Sequence, residues 1–266
     1  MIYAYLDKNI KAANMRELMS SVPNVKFVEL KEFNIIPSHA QVIAVHGVLR
    51  GNGELIKQAE ERGIPWVYMD NAGPYFDSMY KRVILNATAP ITFRGGKRFE
   101  HNTKLEPWRG GQGDYILVLP PSPPYMDTFG TRDFLNYCAH TINKYTDKPI
   151  VIRGKPAKGK FAPPLDEQID GAYAVVSWGS AVSLEALRIG VPTISAGWCP
   201  SKLASFQLED LETCKIAIEP NREAVFDNLT HYCFRREELP MAYDYILENA
   251  KNKRFDFYNI DNNWRI

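Results

Sequence analysis

Short apolar segments alternate with amphipathic helical patterns along most of this chain, and this alternation limits its fold more than any other feature. The apolar segments are nearly continuous in hydrophobicity, which is typical of strands that are buried on both faces of a sheet. The helical patterns between them supply the crossover connections that parallel strands require. The sequence therefore predicts an α/β protein whose parallel sheets are covered by helices.

The predicted elements form two groups. The first group has strands at Ile2–Leu6, Val25–Leu30, Val42–Leu49 and Trp66–Met69, with helices at Ile10–Val22 and Glu54–Arg62. The second group has strands at Tyr115–Leu119, Pro149–Arg153, Ala172–Ser177 and Thr193–Ala196, with helices at Phe134–Tyr145, Ser180–Ile189, Glu223–Cys233 and Glu237–Asn249. Gly63 and Gly190 are expected to end the helices that precede them, because each is followed closely by a proline.

An irregular stretch from Asn71 to Gly113, rich in glycine and proline, separates the two groups and contains one weak strand pattern at Ile91–Phe93. A long stretch of this kind is usually functional or connects domains. We therefore predict an N-terminal lobe over residues 1–110, a C-terminal lobe over 111–235 and a helical tail over 236–266 that packs back. Ligands bind at the carboxyl ends of strands in such sheets, which predicts a cleft between the lobes.

Composition and charge exclude several classes of protein. The chain has 32 Lys+Arg and 31 Asp+Glu in 266 residues, a net charge of +1, so neither a uniformly basic nucleic-acid coat protein nor an acidic tail protein is expected. The four cysteines form no CxxC pair and have no metal-ligand spacing, which indicates free thiols in a reducing compartment and no metal site. No secretory signal and no membrane span are recognisable, so we expect a cytoplasmic protein.

The run from Ala172 to Ala196 carries the clearest chemical signal. A buried strand ends at Ser177, a turn contains Gly179, and a helix begins at or near Ser180. This arrangement directs free backbone N–H groups toward the carboxyl edge of the sheet, where a phosphate can bind. Glu185 lies in an otherwise apolar helix, where it can accept from the paired hydroxyls of a sugar. Two alternatives stay open: Ser180 only caps the helix, and Glu185 pairs with a neighbouring arginine.

A strand in the same lobe ends with two cations. The segment Pro149–Pro156 places Arg153 and Lys155 at the carboxyl edge, where they can neutralise a diphosphate leaving group. No DxD triplet, which would hold a metal ion for the same purpose, occurs in the chain. The alternative is that both cations are simply solvated at the end of the strand.

Two strand ends in the N-terminal lobe offer a general base. His46 lies near a glycine-rich loop, and Asp70 lies at the tip of the fourth predicted strand. Either side chain can take the proton from a hydroxyl group of a bound substrate. The alternatives are a partly buried structural histidine and an aspartate that serves a turn or a helix cap.

The irregular stretch also contains a cluster of positive charge with aromatic residues. Its basic residues are Lys81, Arg82, Arg94, Lys97, Arg98, Lys104 and Arg109, and its aromatic residues include Phe93, Phe99 and Trp108. Cations that contact phosphates and rings that stack on bases suit a nucleic acid, including a flipped-out base. The alternative is a solvated loop whose aromatic side chains anchor it to the core.

The pattern Ser180-x4-Glu185-Ala186-Leu187-x2-Gly190-x-Pro192 resembles the nucleotide-sugar motif of GT-B glycosyltransferases and related sugar-nucleotide epimerases. The resemblance implies two Rossmann-like lobes, with Gly179 and Ser180 at the donor diphosphate and Glu185 at the ribose. It also implies metal-independent transfer, with cations such as Arg153 and Lys155 near the leaving group. One departure is Asp7-Lys8-Asn9, which stands where members of this family often have a glycine-rich loop.

Further segments resemble uncharacterised glycosyltransferase-like proteins of phages and prophages. These segments are Tyr68–Asn71, Tyr80–Val83, Asn86–Ala87, Glu106–Arg109, Leu119–Ser122, Asn221–Glu223 and Glu237–Leu239. The sequence thus predicts transfer of a sugar from a nucleotide-diphosphate donor, a UDP-sugar first, to a hydroxyl acceptor, with no required cofactor. A hydroxymethylated base of phage DNA is the first acceptor and a cell-surface glycan the second. A non-catalytic module that binds nucleotide sugars or nucleic acid is the third hypothesis.

Overall fold

The computed structural model describes residues 1–6, 16–17, 19–30, 35–48, 51–73, 75–76, 79–90, 92–129, 133–155, 163–213 and 215–251. These residues form two compact units. Unit 1 contains the described residues within 1–88, 127–129 and 230–251, and unit 2 contains those within 89–126 and 133–229. Residues 89–110, which the sequence analysis assigned to the first lobe, thus cluster with unit 2.

The described residues form the following regular elements. The strands are β1 (Ile2–Leu6), β2 (Val25–Glu29), β3 (Val42–His46), β4 (Trp66–Asn71), β5 (Lys81–Leu85), β6 (Tyr115–Leu119), β7 (Ile150–Ile152), β8 (Ala172–Ser177), β9 (Thr193–Ser195) and β10 (Cys233–Phe234). The α-helices are α1 (Asn52–Glu61), α2 (Pro123–Phe129), α3 (Phe134–Tyr145), α4 (Leu165–Asp170), α5 (Val182–Arg188), α6 (Arg222–Thr230) and α7 (Leu239–Lys251). Short 3-10 helices span Lys202–Ala204, Leu208–Leu211, Lys215–Ala217 and Arg236–Glu238.

Unit 1 is built on a six-stranded sheet in the order β10-β5-β4-β3-β1-β2. Strands β2, β1, β3 and β4 are parallel. The almost fully buried residues of β1, β3 and β4 explain the continuous apolar segments of the sequence, whereas β2 lies at the sheet edge and is half-buried to exposed. Strands β5 and β10 complete the sheet in antiparallel orientation. The sheet is therefore mixed at one edge, whereas the sequence predicted parallel strands throughout.

The C-terminal helix packs back onto this sheet, as the sequence predicted. In α7, Leu239, Tyr243 and Ile246 are buried in one apolar cluster together with Ile2 and Leu6 of β1. The Tyr243 hydroxyl lies 3.1 Å from the Met69 sulfur, so the polar end of this buried ring contacts a polarizable atom. Helix α7 thus contributes to the core of unit 1.

Unit 2 is built on a four-stranded sheet in the order β7-β6-β8-β9, in which each neighbouring pair is parallel. Leu117 on β6 and Val175 on β8 are fully buried, and Ala186 of α5 packs in the same cluster. The carboxyl ends of β6, β7 and β8 meet at one edge of the sheet because the strands are parallel and adjacent. The predicted α/β class with two Rossmann-like sheets is confirmed.

Several predicted elements have different bounds in the structure. Strand β5 lies within the stretch predicted to be irregular, and neither Thr92 nor Phe93 is in a strand. Helix α5 begins at Val182, because the preceding Ser180 and Ala181 belong to the turn that leads into it. The weak strand residue Ile91, the motif Asp7-Lys8-Asn9, most of the predicted helix Ile10–Val22 and residues 252–266 lie outside the described residues.

Candidate functional site

A pocket of about 370 Å³ opens at the carboxyl edge of the unit 2 sheet. Its described lining is Leu119, Pro120, Pro121, Ser122, Tyr125, Arg153, Gly154, Lys155, Leu165, Trp178, Gly179, Ser180 and Val182. The residues come from the ends of β6, β7 and β8 and from the helices beside them. Four residues that the sequence analysis proposed for a donor site therefore line one pocket: Arg153, Lys155, Gly179 and Ser180.

The turn after β8 forms one side of the pocket. Gly179 has a φ of 78°, in the left-handed region that favours glycine, and a β-carbon there would approach the Tyr125 ring to 2.9 Å. The Ser180 hydroxyl accepts the N–H of Val182 at 3.2 Å, and its carbonyl accepts the Ser183 hydroxyl at 2.8 Å. These hydrogen bonds stabilise the turn that precedes α5, whose N-cap residue is Ala181, and the serine also lines the pocket.

The two cations of the pocket differ in how firmly they are held. The Arg153 guanidinium is half-buried and donates to the Pro163 carbonyl at 2.7 Å and to the Gln168 side chain. Lys155 is exposed. Neither aspartate nor glutamate is among the described lining residues, so the charge that this lining contributes is positive.

Glu185 is not among the described lining residues of this pocket. Its carboxylate accepts from Arg188 Nη2 at 2.7 Å and from Nε at 3.2 Å, and Arg188 Nη1 also donates to Glu106 at 3.0 Å. The hydrogen bond from Arg188 to Glu185 is the main reason why the pKa of Arg188 is raised. Pairing with a neighbouring arginine, the alternative left open by the sequence, is the geometry that the structure has.

The aromatic part of the pocket was missed by the sequence analysis. Trp178 is fully buried, and the Tyr125 ring meets it edge-on with the centroids 5.0 Å apart. Tyr125 lies on α2, which directly follows the Pro120-Pro121 turn after β6. That proline pair marks a strand end, but no local pattern indicates that the Tyr125 ring contacts the turn after β8.

His46 and Asp70 lie at the carboxyl edge of the unit 1 sheet, on neighbouring parallel strands, where His46 is paired with Met69. The Asp70 carboxylate accepts the Tyr68 hydroxyl at 2.9 Å and the Asn71 N–H at 2.8 Å. Burial, followed by the charge of Asp70, raises the pKa of Tyr68, so this hydroxyl stays protonated and donates. The two base candidates therefore share one edge of one sheet.

Arg82 lies beside both groups: its Nη2 is 3.8 Å from the Asp70 carboxylate, and its guanidinium lies over the Tyr68 ring. The Asp70 side chain is nevertheless 33% exposed. His46 is half-buried, and its backbone carbonyl accepts the Asn52 side chain at 3.0 Å. Asn52 thereby ties the start of α1 to the end of β3.

The basic and aromatic residues of the irregular stretch are divided between the units. Lys81 and Arg82 lie on β5 of unit 1, whereas Arg94, Lys97, Arg98, Trp108 and Arg109 belong to unit 2. The Lys81 ammonium donates to the Asn71 side chain at 3.0 Å. The predicted set is thus not one continuous element.

Within unit 2, Trp108 and Arg109 are packed into the fold. The Trp108 indole N–H donates to the Ala217 carbonyl at 3.2 Å, and the Arg109 guanidinium pairs with Asp170 at 2.5 Å. By contrast, residues 93–98 bring Phe93, Arg94, Lys97 and Arg98 into one short loop, in which residues 93–97 are exposed and Arg98 is half-buried. Lys97 pairs with Glu100 at 2.6 Å, and Arg98 lies over the Phe99 ring.

No group of three or more His, Cys, Asp or Glu side chains that could hold a metal ion occurs within the described ranges. In the same part of the chain, no helix combines the length and hydrophobicity needed to cross a membrane.

The chain has distant structural neighbours among solved proteins. No protein-family model matches the chain, and neither does any curated protein sequence. A solved structure of Thermosulfurimonas dismutans KpsC, a beta Kdo 2,4 transferase, is similar over 86% of this chain and 97% of its own chain. The two share 11% sequence identity with a TM-score of 0.40.

Proposed function

We propose that the protein is a glycosyltransferase that binds the diphosphate of a nucleotide-sugar donor in the unit 2 pocket and transfers the sugar to a hydroxyl acceptor. The observation that carries this proposal is the convergence of Arg153, Lys155 and the Gly179–Ser180 turn on one pocket at the carboxyl edge of a parallel sheet. Ligands of such sheets bind at this edge, and cations there stabilise a phosphate.

The pocket has a charged surface for the diphosphate of a nucleotide and an apolar surface for the rest of the ligand. Its cations favour the diphosphate, and the apolar surface from Leu119, Pro121 and Leu165 suits the less polar parts of the ligand. During transfer, the bond between the anomeric carbon and the diphosphate oxygen breaks, and the electron pair leaves with the diphosphate. Arg153 and Lys155 then stabilise the added negative charge without a metal ion. Glu185 is left out of the proposed donor contacts because it is paired with Arg188.

The acceptor hydroxyl needs a group to take its proton as its oxygen bonds to the anomeric carbon. Asp70 or His46 performs this step in the proposal, since both lie at the carboxyl edge of the unit 1 sheet. Asp70 is the better supported of the two, because its carboxylate is held in place by Tyr68 and Arg82 and stays partly exposed.

A hydroxymethylated DNA base is the proposed acceptor, with support from the loop in which Phe93, Arg94 and Lys97 are exposed. Exposed cations beside an exposed ring suit phosphates and an unstacked base. The support is narrower than the sequence indicated, because Trp108 and Arg109 are engaged within unit 2. A cell-surface glycan is the second acceptor class, and nucleotide binding without transfer is the third hypothesis.

Donor binding is tested first, by calorimetric titration of UDP, GDP and CDP. Wild type should bind at least one of them, and Arg153→Ala/Lys155→Ala should weaken binding about tenfold or more, as expected when hydrogen bonds from charged groups are lost. Lys97→Ala/Arg98→Ala is the matched control, because it removes two cations from the same unit outside this pocket. Equal binding by both double variants would contradict the donor site.

Transfer is tested by incubating wild type and Asp70→Asn with hydroxymethylated DNA or a glycan acceptor and a panel of nucleotide sugars, with and without EDTA. A mass gain on DNA bases that EDTA leaves unchanged and Asp70→Asn reduces would support the full proposal. For the loop, Lys97→Ala/Arg98→Ala should weaken DNA binding and lower its salt dependence. Nucleotide binding with no mass gain on any acceptor would leave the binding-module hypothesis.

A further inference from the structure

Cys199 contacts the turn after β8 that lines the unit 2 pocket, although Cys199 itself is not among the described lining residues. This residue follows β9, is fully buried, and accepts the Gly179 N–H on its sulfur at 3.0 Å. Gly179 is the residue with the left-handed backbone that lines the pocket. The thiol therefore satisfies a backbone donor at the point where the chain leaves β8 and turns toward α5.

Other hydrogen bonds orient the Cys199 sulfur toward Gly179. The S–H donates to the Ser177 carbonyl at 3.3 Å, and the Ser177 hydroxyl lies 3.2 Å from the same sulfur. Ser177 is itself fully buried at the end of β8. With its proton directed to that carbonyl, the thiol presents its lone pairs to the Gly179 amide. A thiol in this place acts as an acceptor as well as an apolar group.

The two residues before Cys199 pack against the same turn. Gly197 lies so close to the Trp178 indole that a β-carbon at this position would overlap with the ring. Trp198 also contacts Trp178, with the ring centroids 6.3 Å apart. The segment 197–199 after β9 thus holds Trp178 through packing and Gly179 through a hydrogen bond.

We propose that Cys199 is a positioning residue for the unit 2 pocket: its sulfur fixes the Gly179 turn in the conformation that binds a nucleoside diphosphate. The inference rests on the proposed function for its ligand, but the geometry of the turn is a separate observable. Loss of the sulfur leaves the Gly179 N–H without its acceptor and lets the turn move, so that part of the binding free energy is spent on ordering it.

The test compares UDP titrations of Cys199→Ala, Cys199→Ser and wild type, below the thermal transition of each variant. Cys199→Ala should bind about three- to tenfold more weakly, the range that corresponds to one hydrogen bond. Cys199→Ser should restore most of the affinity, because a hydroxyl oxygen also accepts the Gly179 N–H. Cys138→Ala is the control, since Cys138 is equally buried but lies on α3 outside the pocket lining.

Hydrogen exchange of the Gly179 amide gives a second readout that needs no ligand. Exchange should be faster in Cys199→Ala than in wild type, and close to wild type in Cys199→Ser and Cys138→Ala. Unchanged exchange and affinity in Cys199→Ala would overturn the inference, as would an equal loss in the Ala and Ser variants. If wild type binds no nucleotide, the proposed function fails, and the exchange rates alone decide whether Cys199 holds the turn.

Discussion

Glu185 and Arg188 illustrate how one local pair changes the interpretation of a motif. The glutamate has the spacing of a ribose-binding residue, yet it shares a helix with an arginine three positions later, and the two side chains meet. Residues at this spacing are neighbours on a helix surface, so the pair requires no tertiary contact. Glu106, in the irregular stretch, accepts a hydrogen bond from the Nη1 of the same arginine.

Glu185→Gln should therefore leave UDP affinity within about twofold of wild type and lower the free energy of unfolding by up to about 1 kcal/mol, the value of a partly exposed ion pair. Titration and chemical denaturation measure the two effects. Glu106→Gln serves as the control, because it removes the other carboxylate that contacts Arg188. A tenfold or greater loss of UDP affinity in Glu185→Gln alone would instead support the ribose contact that the motif implies.

Asp210 provides a pH-dependent contribution to stability. Its carboxylate accepts the Gln207 N–H at 2.9 Å at the start of a 3-10 helix and pairs with Lys215 at 3.0 Å. The hydrogen bond from Gln207, followed by Lys215, lowers the pKa of Asp210. A lowered carboxyl pKa adds stability above the pKa of the unfolded chain, near 3.9, and this stability is lost as the pH falls through the folded pKa.

Asp210→Ala should thus destabilise the protein by about 1 kcal/mol at pH 7, as is typical for removal of a capping side chain. The difference from wild type should begin to shrink as the pH falls below about 4, because the unfolded carboxyl takes up a proton first, and it should be lost as the pH passes the lowered pKa of the folded carboxyl. Denaturation curves at several pH values check both statements. Glu209→Ala, at the exposed neighbouring position, should show a smaller effect; an equal effect would argue against the cap.

At the scale of elements, two helices end in the same way but in different surroundings. After α1, the Ile64 N–H donates to the Ala59 carbonyl, and Gly63 between them has a positive φ. After α5, the Val191 N–H donates to the Ala186 carbonyl in the same way, and Gly190 has a positive φ. A β-carbon at Gly63 would meet no atom within 4 Å, whereas one at Gly190 would overlap with the Pro107 carbonyl. The second glycine therefore has a packing role in addition to its backbone conformation.

Gly63→Ala should cost about 1 kcal/mol, the strain of a left-handed backbone at a residue with a β-carbon. Gly190→Ala should cost about 1–3 kcal/mol more, because the Pro107 segment must also move away. Thermal or denaturant unfolding of the two variants measures the difference. Equal losses would show that Pro107 adapts to the added methyl group at little cost.

These helix ends could be predicted from the sequence because glycine and proline determine them locally. Strand β5 could not, since Lys81 and Arg82 look like loop residues and become strand residues only through pairing with β4 and β10. The same distinction applies to the pocket. The strand-end residues Arg153 and Ser180 follow from local pattern, whereas the Tyr125 wall and the Cys199 hydrogen bond depend on contacts between distant segments.

At the scale of the whole molecule, the two compact units have their own sheets and their own buried clusters. Unit 1 is completed by α7, which lies far from β1 in the sequence, so its core requires the chain that follows unit 2. The proposed donor pocket is lined by residues of unit 2 in its described part, and the proposed bases lie in unit 1. We therefore expect donor binding and the core stability of unit 1 to be separable properties.

Tyr243→Ala, which empties a fully buried site in unit 1, should lower that unit's stability by about 3–5 kcal/mol and leave UDP affinity unchanged below its transition. Calorimetric scans with and without UDP check this. A ligand stabilises the unit that binds it, so UDP should raise the transition of unit 2 and not the one lowered by Tyr243→Ala. Leu117→Ala in the unit 2 sheet is the matched variant and should lower the transition that UDP raises. A single transition that UDP and both variants shift alike would mean that the two cores unfold as one cooperative body, and the donor pocket would then depend on unit 1 for its stability.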